Sequence, residues 1–528
     1  MSVDMRAAAD PKAATPARAA PWQIEDERFW ENDGKRIAWR NLWISVPCLA
    51  SAFAVWMAWS IITVQMANLG FPFTETQLFT LASIAGLAGA TLRIPNSFLV
   101  ALAGGRNTVA LTTGLLLFPT AGLAVALRDP KTPFAIFAVL AALSGIGGGN
   151  FASSMSNISL FFPKRMQGTA LGINAGLGNL GVSVMQVLLP LVAAAPVFGA
   201  LGGAGAALPK AVGAAPAGTL VYVQNCGAVW VPILVVLTLA AAVGMSNRPV
   251  GDVGSGLAAS AKILGLTALG FLATAFGLYL MLGLGLAWWI VLPATAGLAL
   301  VLFRFVPGRV RGGIDRQLGI LKSRHTWVMT ILYLMTFGSF IGFSNSFPLL
   351  IKVIFSKSAA GLPLAGAPNP FAYAWLGPLV GSAIRPIGGW LSDKLGGARV
   401  TQATTVLMIV AAVGVAYVVR SAQSAESPLS YFPVFLALFL VLFVATGIGN
   451  GSTFRMIPFI FEPAQAGPVL GWTSAIAAYG SFIIPQLFKQ EVKKGTVHHA
   501  LLGFAAYYVV CLVLNWWFYA RKNASVRC

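Results

Sequence analysis

Long apolar stretches separated by short polar ones run along most of the chain. The runs near 43–67, 77–103, 108–127, 133–155, 169–196 and 227–246 make one set of six, and those near 327–351, 371–391, 400–419, 431–454, 468–487 and 500–520 a second. A helix needs about 20 apolar residues to cross a bilayer, and every run meets that length. Between the sets, Ile263 to Phe303 passes 41 residues without a charged side chain. Two spans fit there, with a turn at Gly283-Leu284-Gly285 and a kink rather than a stop at Pro293. The pattern therefore predicts fourteen helices. On length alone, one span plus a re-entrant or interfacial segment is the alternative, and it would invert everything that follows.

Composition agrees with this setting. Of 528 residues, 57% are hydrophobic and 9% charged, with a mean hydropathy of +0.78, which describes an all-α polytopic membrane protein. The net charge of +20 does not call for a nucleic acid, because the basic residues are spread over membrane-flanking loops. Twenty-three of the 35 Lys and Arg fall in predicted cytosolic segments, nine outside, and three, Arg93, Arg385 and Arg455, within spans. That skew places both termini in the cytosol, and the inner membrane of a bacterium is the expected location. Residues 1–42 form a cytoplasmic tail whose first 21, rich in Ala and Pro, read as disordered and contain no cleavable signal peptide. The stretch 21–40 fits either an interfacial helix anchored by Trp22, Phe29, Trp30 and Trp39 or a structured tether. Cys48, Cys226, Cys511 and Cys528 are scattered and make no disulfide framework.

Arg93 and Arg385 change the picture most. They lie in the runs LAGATLRIPNSFLVALAGG and LGPLVGSAIRPIGGWLSDKLGG, each 11 residues before a Gly-Gly turn, Gly104-Gly105 and Gly396-Gly397. At 1.5 Å per residue that is about 16 Å from the turn, near the middle of a ~30 Å core. A guanidinium in hydrocarbon costs roughly 3 kcal/mol or more unless something satisfies it. All fifteen acids fall outside the predicted spans. Backbone carbonyls could hold the two arginines in a structural role, but the matched positions favour a small anion that comes and goes. Arg455 lies toward the cytosolic end of its helix, where it can snorkel. His325, His498 and His499 lie in loops or at helix ends, so no core acid or imidazole offers a proton relay. Exchange of one anion for another is then the simpler coupling. No His/Cys/carboxylate cluster suits a metal, a cofactor or an enzyme's acid–base work. An anion channel would also use midplane arginines, but it would not require a repeat.

The halves do repeat. GIGGGNF (Gly145 to Phe151) is echoed by GIGNGSTF (Gly447 to Phe454), and GTALGINAGLGNLGVSVMQ (Gly168 to Gln186) by GPVLGWTSAIAAYGSFIIP (Gly467 to Pro485). Two six-helix halves in parallel repeat with a midplane site between them is the major facilitator arrangement. The tail GGWLSDKLGG is similar to that superfamily's loop signature after the second helix of a half. Boundaries follow at 1–42 for the tail, 43–250 for the first half, 251–326 for the inserted pair and linker, 327–520 for the second half and 521–528 for a cytoplasmic end.

The run NFASSMSNISLFFPKRMQGTALGINAGLGNLGVSVMQ, with RNLWISVPC and LRIPNSF before it and YLMTFGSFIGFS after it, closely resembles the NarK-type nitrate/nitrite porters. The resemblance covers nearly the whole chain apart from the tail, the Gly/Ala-rich loop near 198–225 and the inserted pair. It implies nitrate and nitrite as substrates, in a monomer in the lipid bilayer. It implies that Arg93 and Arg385 clamp the anion, that Phe151 and Phe337 enclose it, and that Tyr333 and Asn179 donate hydrogen bonds. It makes the segments holding Gly168, Gly172, Gly176 and Gly178 and holding Gly471 and Gly480 the flexing glycine signatures. The second departs from the family pattern at Ala477 and Ser481. A nitrate/proton symporter of the same fold is the competing function.

Overall fold

The computed structural model describes residues 22–528 except 213–214, 251–252, 307–310, 312–314, 316–317, 359–361, 363, 525 and 527, and leaves the side chains at 163 to 168 described only up to Gln167 and those at 463, 464 and 467 undescribed. Residues 1–21, read above as disordered, lie outside the described residues. Among the described residues, twelve helices are long and apolar enough to cross a membrane. They are α1 (Glu27–Asn68), α2 (Glu75–Ala103), α3 (Gly105–Ala126), α4 (Phe134–Ser159), α5 (Lys164–Ala193), α6 (Asn225–Gly244), α7 (Gly256–Gly283), α8 (Trp288–Phe305) and α9 (Arg324–Phe355), followed after two shorter helices by α12 (Gly397–Ser424), α13 (Pro428–Ile460) and, after two more, α16 (Val497–Ala520).

The other two apolar runs are carried by consecutive short helices. The run at 371–391 becomes α10 (Leu376–Ala383) and α11 (Arg385–Leu395), and the run at 468–487 becomes α14 (Pro463–Ala477) and α15 (Gly480–Lys494). The first break sits beside Pro386, which has no N–H to continue the ladder. At the second break the chain is pressed against α9: a Cβ on Gly480 would stand 2.2 Å from the carbonyl oxygen of Gly338. Only a glycine permits that approach. Facing it, α9 widens into a π turn over Leu334–Gly338, the kind of irregular turn that tends to mark a working site.

The Ile263–Phe303 stretch forms α7 and α8. Their turn contains Gly285 at φ +64°, a left-handed conformation that glycine adopts without strain, and Pro293 lies inside α8. Helix α2 starts on a Thr74/Gln77 capping box and stops at Gly104 (φ +81°). Helix α11 stops at Gly396 (φ +90°), the matching place in the repeat.

Helix α2 packs along α4, and α1 along α5 and α4; α12 lies between α13 and α16, and α11 along α13. Contacts between these groups run from α2 to α15, from α1 to α9 and from α5 to α10. Helix α7 lies along α2, and α8 along α7. Of the two readings of the stretch that ends at Arg40, its packing fits the structured tether: Trp22 meets Phe29 and Phe161 edge-on at 5.3 and 5.4 Å. From Glu27 it runs into α1 as helix, with Trp30 only 1% exposed against Phe162 and the Trp22 indole N–H donating to the Leu160 carbonyl at 3.0 Å. The 199–225 loop holds one small antiparallel pair, β1 (Ala206–Ala207) and β2 (Leu220–Val221). Cys48, Cys226, Cys511 and Cys528 are free thiols.

Candidate functional site

Halfway along α2, Arg93 is fully buried (0% exposed). Its guanidinium reaches both neighbouring groups of helices. Nε donates to the Gly148 carbonyl of α4 at 2.8 Å, and Nη1 donates to the Ser474 carbonyl of α14 at 2.9 Å. Nη2 has no partner. The charge is surrounded by aromatic faces, with the guanidinium carbon 4.7 Å from the ring centre of Phe151, 5.1 Å from Phe337, 5.4 Å from Trp56 and 5.7 Å from Phe53. Each such contact contributes about 0.5–2 kcal/mol when desolvated, so a cation can be held here without a carboxylate. The glycines of GIGGGNF make this possible: a Cβ on Gly145 would come within 2.4 Å of Ala88, so α4 lies close enough to α2 for a main-chain carbonyl to reach the arginine.

Arg385 begins α11 and is 7% exposed. Nη2 donates to the Tyr333 hydroxyl at 3.2 Å, Nη1 has no partner, and the guanidinium carbon lies 5.4 Å from the Phe454 ring centre. The π turn of α9 brings Tyr333 and Phe337 into a near-parallel stack, 5.5 Å between centres and 7° between planes. Phe151 stacks on the far side of Phe337 at 6.0 Å, and Phe454 tilts against Tyr333 at 5.3 Å. One ladder of rings, Phe151–Phe337–Tyr333–Phe454, thus connects the two arginines.

Among the described residues, Arg93 and Arg385 are the two buried charged side chains. Each retains a buried N–H group with nothing to bond to. Asn179 on α5 is 1% exposed, and neither its amide nitrogen nor its amide oxygen has a partner. A buried polar group left unpaired costs about 1–3 kcal/mol, and each of these groups keeps hydrogen-bonding capacity that the protein itself does not use. Arg455 is half-buried and ion-pairs with Asp393, its guanidinium 3.9 Å from the Phe459 ring centre. Among the described residues no group of three His, Cys, Asp or Glu could hold a metal.

The glycines fall into two classes. Gly172 and Gly176 have nothing within 4 Å of where a Cβ would sit, and Gly471 only Ser97, at 3.6 Å and beyond. Gly178 meets Leu49 at 2.7 Å and Gly480 meets Gly338 at 2.2 Å. Gly168 lies outside the described residues. Gly181, which the sequence reading passed over, is another close approach, 2.0 Å from the Ala50 carbonyl oxygen.

A cavity of about 220 Å³ runs from the arginine level toward the end of the bundle marked by Ser159 and Ile320. Phe151 and Phe454 line it and neither arginine does, so the two rings separate the charges from the open space. At the opposite end the helices are joined by polar contacts. Asn345 Nδ2 donates to the Ala82 carbonyl at 3.1 Å, Gln186 Nε2 to the Ser344 carbonyl at 3.0 Å, Lys352 to Asn68, and Lys357 pairs with Glu75 at 3.2 Å.

Sequence reasoning missed Phe454, Phe53 and Trp56. A signal existed for Phe454, since it closes GIGNGSTF as Phe151 closes GIGGGNF. No pattern singles out Phe53 and Trp56 from an apolar helix.

No family model matches the chain. It is 38% identical over 98% of its length to the "Probable nitrate/nitrite antiporter NarK2" of Thermus thermophilus, covering 100% of that protein. It is also 38% identical over 96% of its length to the "Nitrate/nitrite transporter NarU" of Escherichia coli, covering 96%. The fold is similar to a POT family transporter in complex with 5-aminolevulinic acid (TM-score 0.59, 13% identity, 90% of this chain and 95% of that one). It is also similar to the major facilitator superfamily proton:xylose symporter XylE (TM-score 0.56, 15% identity, 92% and 96%). With relatives that similar end to end and the major facilitator architecture around two buried arginines, the chain belongs to the NarK/NarU family of nitrate/nitrite transporters.

Proposed function

We propose that this protein exchanges nitrate for nitrite across the membrane by alternating access, with the anion clamped between Arg93 and Arg385. The observation that carries the reading is the pair of buried guanidiniums, each with an unbonded N–H, in a region whose described residues include no buried acid. Nitrate is flat. Phe151 and Phe337 suit its faces, while the forked N–H groups of arginine and the neutral donors Tyr333 and Asn179 suit its oxygen edge.

The coupling follows from charge. Two unit charges about 7 Å apart repel by roughly 2 kcal/mol at an effective dielectric of about 20, so the empty carrier resists closing around its own site. A bound anion cancels that repulsion. In the empty site Arg93 also holds the Ser474 carbonyl, and an anion competing for the same fork releases α14 from α2. The closed end of the bundle is read as the outer face and the cavity as facing the cytosol, with both termini inside. The two segmented helices complete fourteen spans, two six-helix halves plus the inserted pair α7 and α8, in a monomeric bacterial inner-membrane protein.

Nitrate binding to purified protein tests the clamp. Nitrate should raise the melting temperature of the wild type, whereas Arg93→Lys should lose at least about tenfold in affinity and most uptake while folding normally, because lysine keeps the charge but not the fork. Wild-type affinity in Arg93→Lys would make that arginine structural.

A further inference from the structure

Helix α2 and its repeat counterpart face different surroundings. The apolar stretch of α2 is wholly buried, whereas α11 leaves Ile387 46%, Trp390 53% and Leu395 54% exposed. The inserted helix α7 accounts for the difference. A Cβ on Gly270 would stand 2.7 Å from the Leu92 side chain and 3.1 Å from Pro95, and one on Gly277 would stand 3.1 Å from Leu87. Farther along, Phe303 of α8 packs edge-on against Phe98 at 5.3 Å, and Lys262 Nζ donates to the Leu102 carbonyl at 3.0 Å. Leu87, Leu92, Pro95, Phe98 and Leu102 recur at helical spacing, so the pair covers one continuous face of the arginine helix.

That face supports the arginine directly. Pro95 removes the N–H that would bond the Thr91 carbonyl, which weakens α2 within a turn of Arg93. Leu92, the residue before the arginine, is held between Gly270 on one side and Gly149 on the other, where a Cβ would stand 3.1 Å from the Leu92 Cβ. The neighbouring Gly148 supplies the carbonyl that Arg93 Nε bonds. A line of contact therefore passes from α7 through Leu92 and the Gly148–Gly149 backbone to the guanidinium.

We infer that α7 is a positioning element for the anion site, with Gly270 setting the depth at which it seats on Leu92 and so the placement of Arg93. This rests on the reading of Arg93 as an anion ligand. Arg93 is then the fixed jaw of the clamp and Arg385, on a helix without such a jacket, the mobile one.

The test is nitrate uptake kinetics of full-length Gly270→Leu in proteoliposomes. KM should rise about fivefold or more with Vmax within about twofold, the signature of misplaced binding rather than of lost protein. Adding Leu92→Ala should bring KM back toward wild type by vacating the space. Gly265→Leu, on the same helix with nothing within 4 Å of its Cβ position, should change nothing. An unchanged KM in Gly270→Leu, or a rise that Leu92→Ala does not relieve, overturns the inference. Should Gly270→Leu fail to insert, Gly270→Ala is read by the nitrate-dependent melting shift, and a wild-type affinity there overturns it equally. A wild-type protein whose melting temperature ignores nitrate refutes the anion reading itself, and the positioning role falls with it.

Discussion

In the proposed anion site, Asn179 is the single residue that would trade stability for function. Its amide is buried with both polar atoms unbonded, a cost of about 1–3 kcal/mol that a bound anion would offset. Asn179→Leu should therefore raise the melting temperature of the empty carrier while lowering nitrate uptake about tenfold or more. A variant less stable than wild type would mean the amide has structural partners. The two arginines were legible from sequence because a charge in an apolar run is rare and expensive. The rings around them were not. Phenylalanine in a membrane helix is the ordinary case, so Phe151, Phe337 and Tyr333 come forward only through the family resemblance, and Phe53 and Trp56 only through the three-dimensional packing around Arg93.

At the level of helices, hydropathy located the apolar runs, including the inserted pair, but did not show where two of them break. Ala478-Tyr479-Gly480 carries no proline and reads as continuous helix. It breaks because Gly480 is pressed against Gly338 while the Tyr479 hydroxyl bonds Thr91 at 3.0 Å. These are tertiary contacts, invisible to local propensity. The same cause decides between the two readings of the stretch that ends at Arg40, since its aromatic partners, Phe161 and Phe162, lie more than a hundred residues away. The Gly480 contact packs α15 against α9 within the second half. Gly480→Val should jam it, at about 1–3 kcal/mol for an overpacked site. Thiol labelling of Ser346→Cys from the outside should then speed up and uptake should fall. Unchanged labelling would show that this contact does not hold the outer end closed.

Across the whole protein, the closed end depends on a few polar contacts between helices of the two repeats, Lys352 to Asn68, Lys357 to Glu75, and Asn345 to Ala82. The exposed ion pair contributes little, about 0–1 kcal/mol, and the two hydrogen bonds about 0.5–1.5 kcal/mol each, so the closure is held lightly enough for a small anion to reverse it. A cross-link between Asn68→Cys and Lys352→Cys should abolish uptake when oxidised and restore it on reduction. Full uptake by the oxidised protein would mean that this end never opens.

Exchange itself is measured with nitrate uptake into proteoliposomes loaded with nitrite, with chloride or with nothing, each with and without an inward proton gradient. Two buried arginines with no buried acid among the described residues predict uptake only against internal nitrite, indifferent to the proton gradient. Uptake into empty vesicles driven by protons would contradict this and establish symport.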